Sequence, residues 1–227
     1  MDPSTIYNTC RTRLVDLAPL LTAEQLARPL AATPPWTVLD GYRHLTGVCV
    51  DVLDGAMQGA GSAAWTAAQL DAREGRDVAD VCAEWCERAP ALEAQVAQAG
   101  NAMAFACFDV WTHGQDIRAA VGFPSQPGEE LVTSLAGIAL ATLGGYYTKS
   151  GAPTLRVLLD GGSGDGIVLG NGEPAVTLQT TSYELLRTIF GRRSRAQIEM
   201  ADWSGEGAAA VIDAIHIFDC PAQPIDD

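Results

Sequence analysis

Apolar residues recur at intervals of three and four over most of the first 150 residues of the chain. That interval matches the turn of an α-helix and predicts five helices, over residues 4–21, 37–58, 77–99, 102–121 and 128–148. Pro34 and Pro35 precede Thr37, which is a good N-cap for the second helix. Gly122, with Pro124 two positions later, ends the fourth. Five such segments favour a four-helix bundle with one extra helix.

After residue 150 the pattern changes to short runs rich in β-branched residues. TLRVLLD, GIVLGN and AVTLQTT are separated by the turn sequences GGSGDG and GNGEP and predict three strands. Ser182 is expected to cap a helix over YELLRTIFGRR, AQIEMAD predicts a further strand, and residues 205–217 predict a closing helix. The expected fold class is therefore α+β, with a helical domain over residues 1–150 and a small α+β domain over residues 151–227.

Two polar residues interrupt the apolar segment FACFDVWTHGQDIRAAVG. Asp109 and His113 are four residues apart, so on a helix their carboxylate oxygen and imidazole nitrogen can converge on one metal ion. An unpaired buried polar group costs roughly 1–3 kcal/mol, and an unpaired charge costs more. A divalent cation, a buried base or a hydrogen bond to another helix would each offset that cost. So would an intrahelical hydrogen bond between the two side chains, which is the structural alternative.

His44 lies in PPWTVLDGYRHLTGVCVDVL, at the boundary between an apolar and a polar helix face. A histidine there is a surface residue, a packing residue or a ligand at the rim of a bundle. Together with Asp109 and His113 it matches an open catalytic metal site, in which three protein ligands leave a fourth position for water or substrate. Zinc is the default ion, although iron, nickel and manganese accept the same ligands. His216 is expected to be structural.

The surroundings of such a site can also be considered from the sequence. Asp40, Asp51 and Asp116 are candidates either for hydrogen-bond partners of the ligands or for surface carboxylates, with the surface preferred for Asp51. Residues 59–75, rich in alanine and glycine, predict a loop with at most a short helix that could cover the site. Cys82 and Cys86 could bind metal, but they accompany an apolar stripe that favours packing.

Composition narrows the possible partners and location. Of 227 residues, 48% are hydrophobic and 19% are charged, as in an ordinary globular protein. Fourteen basic against twenty-eight acidic residues give a net charge of −14, which argues against nucleic acid and anionic membranes as partners. With no basic leader before an apolar run, no apolar stretch of about 18 residues, and no dense cysteine framework, we expect a cytoplasmic chain with reduced thiols.

Two regions resemble a known family. PWTVLDGYRHLTG, followed some sixty residues later by FDVWTHGQDIRAAVG, is similar to the metal-binding pattern of the mycothiol-dependent maleylpyruvate isomerase family, whose N-terminal domain is a DinB-like four-helix bundle. LLRTIFGRRSRAQIEMADWSGEGAAA resembles that family's small α+β, sterol-carrier-like C-terminal domain. The resemblance covers essentially the whole chain. It implies His44, Asp109 and His113 as metal ligands, and Arg192 as a domain-interface residue that could bind an anionic substrate group.

The resemblance also implies a reaction. In the family the metal activates the small thiol mycothiol, because a divalent cation lowers the pKa of a coordinated thiol. Addition of the thiolate to an activated double bond lets that bond rotate, and expulsion of the thiol leaves the trans isomer, whereas transfer stops after the addition. The expected protein is thus an isomerase or a thiol S-transferase that uses a divalent metal and mycothiol on a small electrophile. No cysteine of the chain is needed as nucleophile.

One departure and several alternatives accompany this interpretation. The family usually has glutamate where this chain has Asp109, and the shorter side chain leaves open a metal nearer this helix, weaker binding or a bridging water. Arg187, Arg192, Arg193 and Arg195 could instead pair with acidic residues across the domain boundary. A non-enzymatic binder of an apolar ligand and a metal-stabilised regulatory protein are the alternatives from other classes, since a fold defines a reaction only loosely.

Overall fold

The computed structural model describes residues 1–123, 129–162 and 165–227. Pro124, and Gly128 at the expected start of the fifth helix, lie outside the described residues, as do Ser163 and Gly164 of the expected GGSGDG turn. The chain divides into two compact units, Met1–Ser125 with Asp227 and Gln126–Asp226.

Four long helices form the first unit. They are α1 (Pro3–Leu17), α3 (Val38–Asp54), α5 (Val78–Ala99) and α6 (Ala104–Val121), with the short helices α2 (Ala23–Leu26) and α4 (Ala63–Asp71) between them. Helices α1 and α3 each pack against both α5 and α6, which closes a four-helix bundle around one core. The predicted bundle is confirmed, and residues 59–75, expected as a loop with at most a short helix, contain the nine-residue helix α4.

Local sequence explains where these helices begin and end. Thr37 caps α3 as predicted, in a capping box whose other member is Asp40. Asp77 caps α5 by accepting a hydrogen bond from the backbone of Asp80. Gly122 adopts a left-handed conformation, with φ of 80°, and ends α6 where the sequence predicted.

The second unit combines helices with one mixed sheet. Its helices are α7 (Glu130–Ser150), α8 (Ser182–Ile189), α9 (Arg195–Glu199) and α10 (Ala208–Ile212), and its strands are β1 (Leu155–Leu159), β2 (Ile167–Leu169), β3 (Val176–Thr180) and β4 (Asp202–Gly205). The strand order is β2-β1-β3-β4, with β1 and β3 parallel and both edge strands antiparallel to their neighbours. The α+β fold class is confirmed.

Helix α7 belongs to the second unit, whereas the predicted boundary at residue 150 placed it with the bundle. The physical reason is its packing, because α7 contacts α8 and β2 of that unit. Its buried face consists of apolar side chains such as Leu135, Leu140 and Tyr147. Periodicity detects such a face but does not identify the element that covers it.

Three details of the second unit differ from the predictions. AQIEMAD is not a strand: Ser194 and Gln197 form a capping box that starts α9, and β4 begins only at Asp202. The closing helix is shorter than 205–217 and spans Ala208–Ile212. Thr181, rather than Ser182, caps α8 by accepting a hydrogen bond from the backbone of Glu184.

Helix α7 is long and apolar enough to cross a membrane by length and composition, which corrects the expectation that no segment would be. Its charged residues, Glu130 and Lys149, lie near its two ends, so the stretch between them carries no charged side chain. Because 44% of its most apolar 18-residue stretch is buried within the protein, a core helix explains the same composition.

Candidate metal centre

Helices α3 and α6 bring the three predicted ligands together. His44 lies in the second turn of α3, while Asp109 and His113 lie one turn apart on α6, which packs directly against α3. One potential ligand atom from each residue lies within 4.8 Å of those of the other two. Both histidines are buried, at 4% and 8% exposure, and Asp109 is partly exposed. These three side chains could hold one metal ion.

The carboxylate of Asp109 stands between the two imidazoles. Its Oδ1 lies 3.4 Å from Nε2 of His44 and 3.7 Å from Nε2 of His113. Both rings therefore present the same nitrogen toward the same oxygen. The side chain of Asp109 is 26% exposed, against 5% and 10% for the two histidines, so the open side of the cluster is at the carboxylate.

The other nitrogen of His44 is held by a residue that sequence analysis missed. Nδ1 lies 2.7 Å from Oε1 of Gln69, and Nε2 of Gln69 donates to Asp51 at 2.7 Å. Since the amide oxygen can only accept, Nδ1 of His44 donates to it, and a neutral imidazole in that tautomer presents the lone pair of Nε2 to Asp109. Asp51, expected at the surface, is therefore part of the network around the cluster.

The remaining predicted carboxylates have different places. Oδ2 of Asp116 lies 3.5 Å from Nδ1 of His113, with only 2% of the Asp116 side chain exposed. Asp116 thus lies beside a candidate ligand, as expected for a hydrogen-bond partner and not for a surface carboxylate. Asp40 accepts from Thr37 and from Arg43, which makes it part of the α3 cap.

Aromatic rings cover the histidines. The ring of Trp36 stacks on that of His113, with centroids 5.7 Å apart, and lies 4.9 Å from that of His44. Trp65 of α4 approaches His44 edge-on at 6.3 Å. These rings restrict the rotation of the imidazoles and exclude water from that side.

The donor set fits a divalent cation. In its neutral form with the proton on Nδ1, His44 directs a lone pair at a carboxylate oxygen 3.4 Å away, and Nε2 of His113 faces the same oxygen. Two like acceptors at this distance repel each other, and a cation between them converts that repulsion into attraction. Two imidazole nitrogens and one carboxylate oxygen are a ligand set that zinc accepts. The aspartate, although shorter than the usual glutamate, reaches both histidines.

Cysteine thiols are not part of this arrangement. Burial raises the pKa of Cys49 to about 11 and the pKa values of Cys82 and Cys107 to about 12. These three thiols stay neutral near neutral pH and do not act as nucleophiles there.

Arg192 lies in the second unit, in the turn after α8. It is buried, and its Nη1 donates to the carbonyl of Phe190 at 2.7 Å. Its neighbour Arg193 makes a two-pronged ion pair with Glu184, so this member of the arginine cluster has a structural partner within its own unit, whereas the alternative expected partners across the domain boundary. The role of Arg192 in binding an anion stays a prediction. Nδ1 of His216 lies 2.9 Å from the carbonyl oxygen of Phe218, and the structural role of His216 stays a prediction.

Solved structures with a similar fold exist. The crystal structure of the mycothiol-dependent maleylpyruvate isomerase has a TM-score of 0.50 and 10% identity, with 84% of this chain and 88% of that chain covered. A histidine-to-alanine mutant of the same enzyme gives a TM-score of 0.49, also at 10% identity, over 83% and 88%. No protein-family model matches the chain, and no curated protein matches it by sequence. The resemblance inferred from the sequence is thereby confirmed at the level of the fold.

Proposed function

We propose that this chain is a metal-dependent enzyme that uses a small thiol such as mycothiol to isomerise, or to conjugate, a small electrophile, in the manner of maleylpyruvate isomerase. The observation that carries the proposal is the convergence of His44, Asp109 and His113 from two helices, in a fold shared with that enzyme. The ion is proposed to be zinc, and the setting cytoplasmic. Neither nucleic acid nor a membrane is proposed as a partner.

The residues of the site have separable roles in this proposal. His44 and His113 supply nitrogen ligands, and Asp109 supplies a negative charge on the open side. A divalent ion held there would lower the pKa of a thiol that binds to it, so that the thiolate is available near neutral pH. Trp36 shields the histidines, and the thiol is supplied from outside the chain, since the cluster of possible ligands contains no cysteine. Arg192 is proposed to bind an anionic group of the substrate.

The test is a thiol-consumption screen of the zinc-loaded chain with mycothiol and a panel of electrophiles that includes maleylpyruvate. Turnover that disappears with chelation and in Asp109→Ala supports the proposal. Arg192→Met, which removes the charge with little change in volume, is expected to lower turnover without a change in melting temperature. If only the melting temperature falls, Arg192 is structural. Silence across the panel by zinc-loaded protein would contradict the enzyme.

A second candidate function is binding of an apolar ligand without turnover. The observation in its favour is a cavity of about 440 Å³ in the second unit. Apolar side chains of β3, α8, α9 and β4 contribute to its lining, among them Leu178, Leu185, Ile198 and Trp203. The volume lies within the usual range for small-molecule pockets. Under this alternative, chelation of the metal leaves ligand binding intact.

A further inference from the structure

Gln69 makes contact with both His44 and Asp51, and it is 3% exposed. Its amide oxygen lies 2.7 Å from Nδ1 of His44, and its amide nitrogen lies 2.7 Å from a carboxylate oxygen of Asp51. An ionised carboxylate only accepts hydrogen bonds, so Asp51 requires the nitrogen of the amide on its own side. The oxygen of Gln69 must then face His44.

This orientation has a consequence for the imidazole. A histidine next to an amide oxygen donates from the facing nitrogen, which here is Nδ1. In the neutral imidazole, the proton on Nδ1 leaves Nε2 as the acceptor, and Nε2 is the atom directed at Asp109. The hydrogen bonds that run from Asp51 through Gln69 to His44 thus define which nitrogen of His44 is available as a ligand. Ligating histidines commonly have such a partner on their second nitrogen.

The backbone is built to bring Gln69 this close. Gly47 lies one turn beyond His44 on α3, and a Cβ at that position would stand 2.6 Å from both Cβ and Cγ of Gln69. Any side chain there would displace α4. At the other side, Arg73 donates to the carbonyl of Gln69 and makes a two-pronged ion pair with Glu84 of α5. The segment around Gln69 therefore packs closely on Gly47 of α3 and is tied through Arg73 to Glu84 of α5.

We infer that Gln69 is a positioning residue for the metal: relaying the negative charge of Asp51, it holds His44 with the proton on Nδ1 and so presets Nε2 as a metal ligand. The inference rests on the proposed metal-binding function. It adds two residues, Gln69 and Asp51, that act through His44 and do not touch the ion. Loss of such a partner typically weakens metal binding about 10–100-fold.

The experiment compares Gln69→Leu and Asp51→Asn with the parent chain. Asp51→Asn keeps the shape of the side chain but lets the amide of Gln69 turn over, because asparagine can donate as well as accept. Gln98→Leu is the matched control, since Gln98 is exposed on α5 of the same unit. Two quantities are measured: the tautomer of His44 in the metal-free chain, from its imidazole ¹⁵N resonances, and the zinc affinity, by competition with a chelating dye.

The parent and Gln98→Leu are expected to carry the His44 proton on Nδ1. Gln69→Leu is expected to lose that preference and to bind zinc about 10–100-fold more weakly, with Asp51→Asn between them. Zinc affinity of Gln69→Leu within about twofold of the parent, with the tautomer unchanged, would overturn the inference while leaving the metal site in place. If no form binds zinc, the proposed function fails, and the tautomers alone decide the inference. Should Gln69→Leu not fold, Asp51→Asn decides by the same two measurements.

Discussion

Arg193 in the second unit and His44 in the first are both buried side chains inside polar clusters, but the two side chains face their carboxylates differently. Arg193 donates to both carboxylate oxygens of Glu184, at 2.7 and 2.8 Å, and to the carbonyl of Ile225. His44 in its neutral form with the proton on Nδ1 instead turns an acceptor toward the carboxylate of Asp109. Opposite charges satisfy each other within the chain, whereas converging acceptors gain stability from a cation. Burial alone therefore does not distinguish a structural cluster from a binding site. The distinction lies in whether the groups that face each other are a cation and an anion or two acceptors.

The strongest way to break this comparison is to remove the ligands. His44→Ala combined with His113→Ala is expected to weaken zinc binding at least about 100-fold, because two of the three ligand atoms are lost. The metal-free double variant is also expected to unfold more easily than the parent, because two buried rings packed against Trp36 are lost and the amide oxygen of Gln69 loses its donor. The site is therefore judged by the stability that added zinc contributes, which is expected in the parent and not in the double variant. Calorimetric zinc titration and chemical denaturation with and without zinc measure the two quantities. Equal stabilisation of the two forms by zinc would show that the histidines are structural only.

The converse change falls on the second unit. Glu184→Gln replaces the charged end of the two-pronged ion pair with Arg193 by a neutral amide and is expected to destabilise the chain by about 1–3 kcal/mol. Zinc affinity is expected to be unchanged. The matched control is Glu199→Gln, whose ion pair with Arg195 is about half exposed on both sides. That substitution should change the free energy of unfolding by less than about 1 kcal/mol. Equal effects of the two substitutions in urea denaturation would contradict the structural role of the Arg193 pair.

Gly47→Ala sharpens the comparison from the backbone side. Its Cβ would overlap Gln69 and push α4 away from His44, so zinc affinity is expected to fall about tenfold and stability by about 1–3 kcal/mol. Gly137→Ala on α7 is the control, since its Cβ would meet nothing within 4 Å. That change is expected to stabilise the chain by about 0.5–1 kcal/mol with no effect on zinc. An unchanged zinc affinity in Gly47→Ala would show that the position of α4 does not influence metal binding.

Buried thiols are a third kind of buried polar group, because they remain uncharged near neutral pH. Folding raises the pKa of Cys107 from a usual value of 9.0 to about 12, so above pH 9 the unfolded chain holds fewer protons than the folded one. Stability is thus fully present below pH 9 and falls as the pH rises, by up to about 1.4 kcal/mol per pH unit for each such thiol. Urea denaturation between pH 8 and 10.5 is expected to show a shallower slope in Cys107→Ala. Cys86→Ala, at an exposed position, should keep the slope of the parent.

The sequence predicted the bundle and the site candidates for one physical reason. Helical periodicity determines which residues share a face, so Asp109 and His113 were certain to lie together once α6 formed. Strands were predicted equally well where turn residues bounded them, as for β1 and β3. The strand predicted over AQIEMAD was wrong, because its apolar alternation is too short to compete with the capping box at Ser194.

The rest of the site could not be predicted because it depends on contacts across the bundle. Gln69 lies 25 positions from His44, in a segment whose alanines and glycines resemble a loop. Gly47 was a further signal, since a glycine inside a well-formed helix often marks a close approach. The placement of α7 depended on which surface covers its apolar face, which periodicity does not reveal.

The most direct test of the central claim is X-ray absorption at the zinc edge on the purified, zinc-loaded chain, with zinc content measured on the same sample. We expect one equivalent of zinc with nitrogen and oxygen ligands only, including two imidazoles, and loss of that signal in the His44→Ala, His113→Ala double variant. Sulfur ligands, zinc content below about half an equivalent, or a spectrum unchanged in the double variant would contradict it.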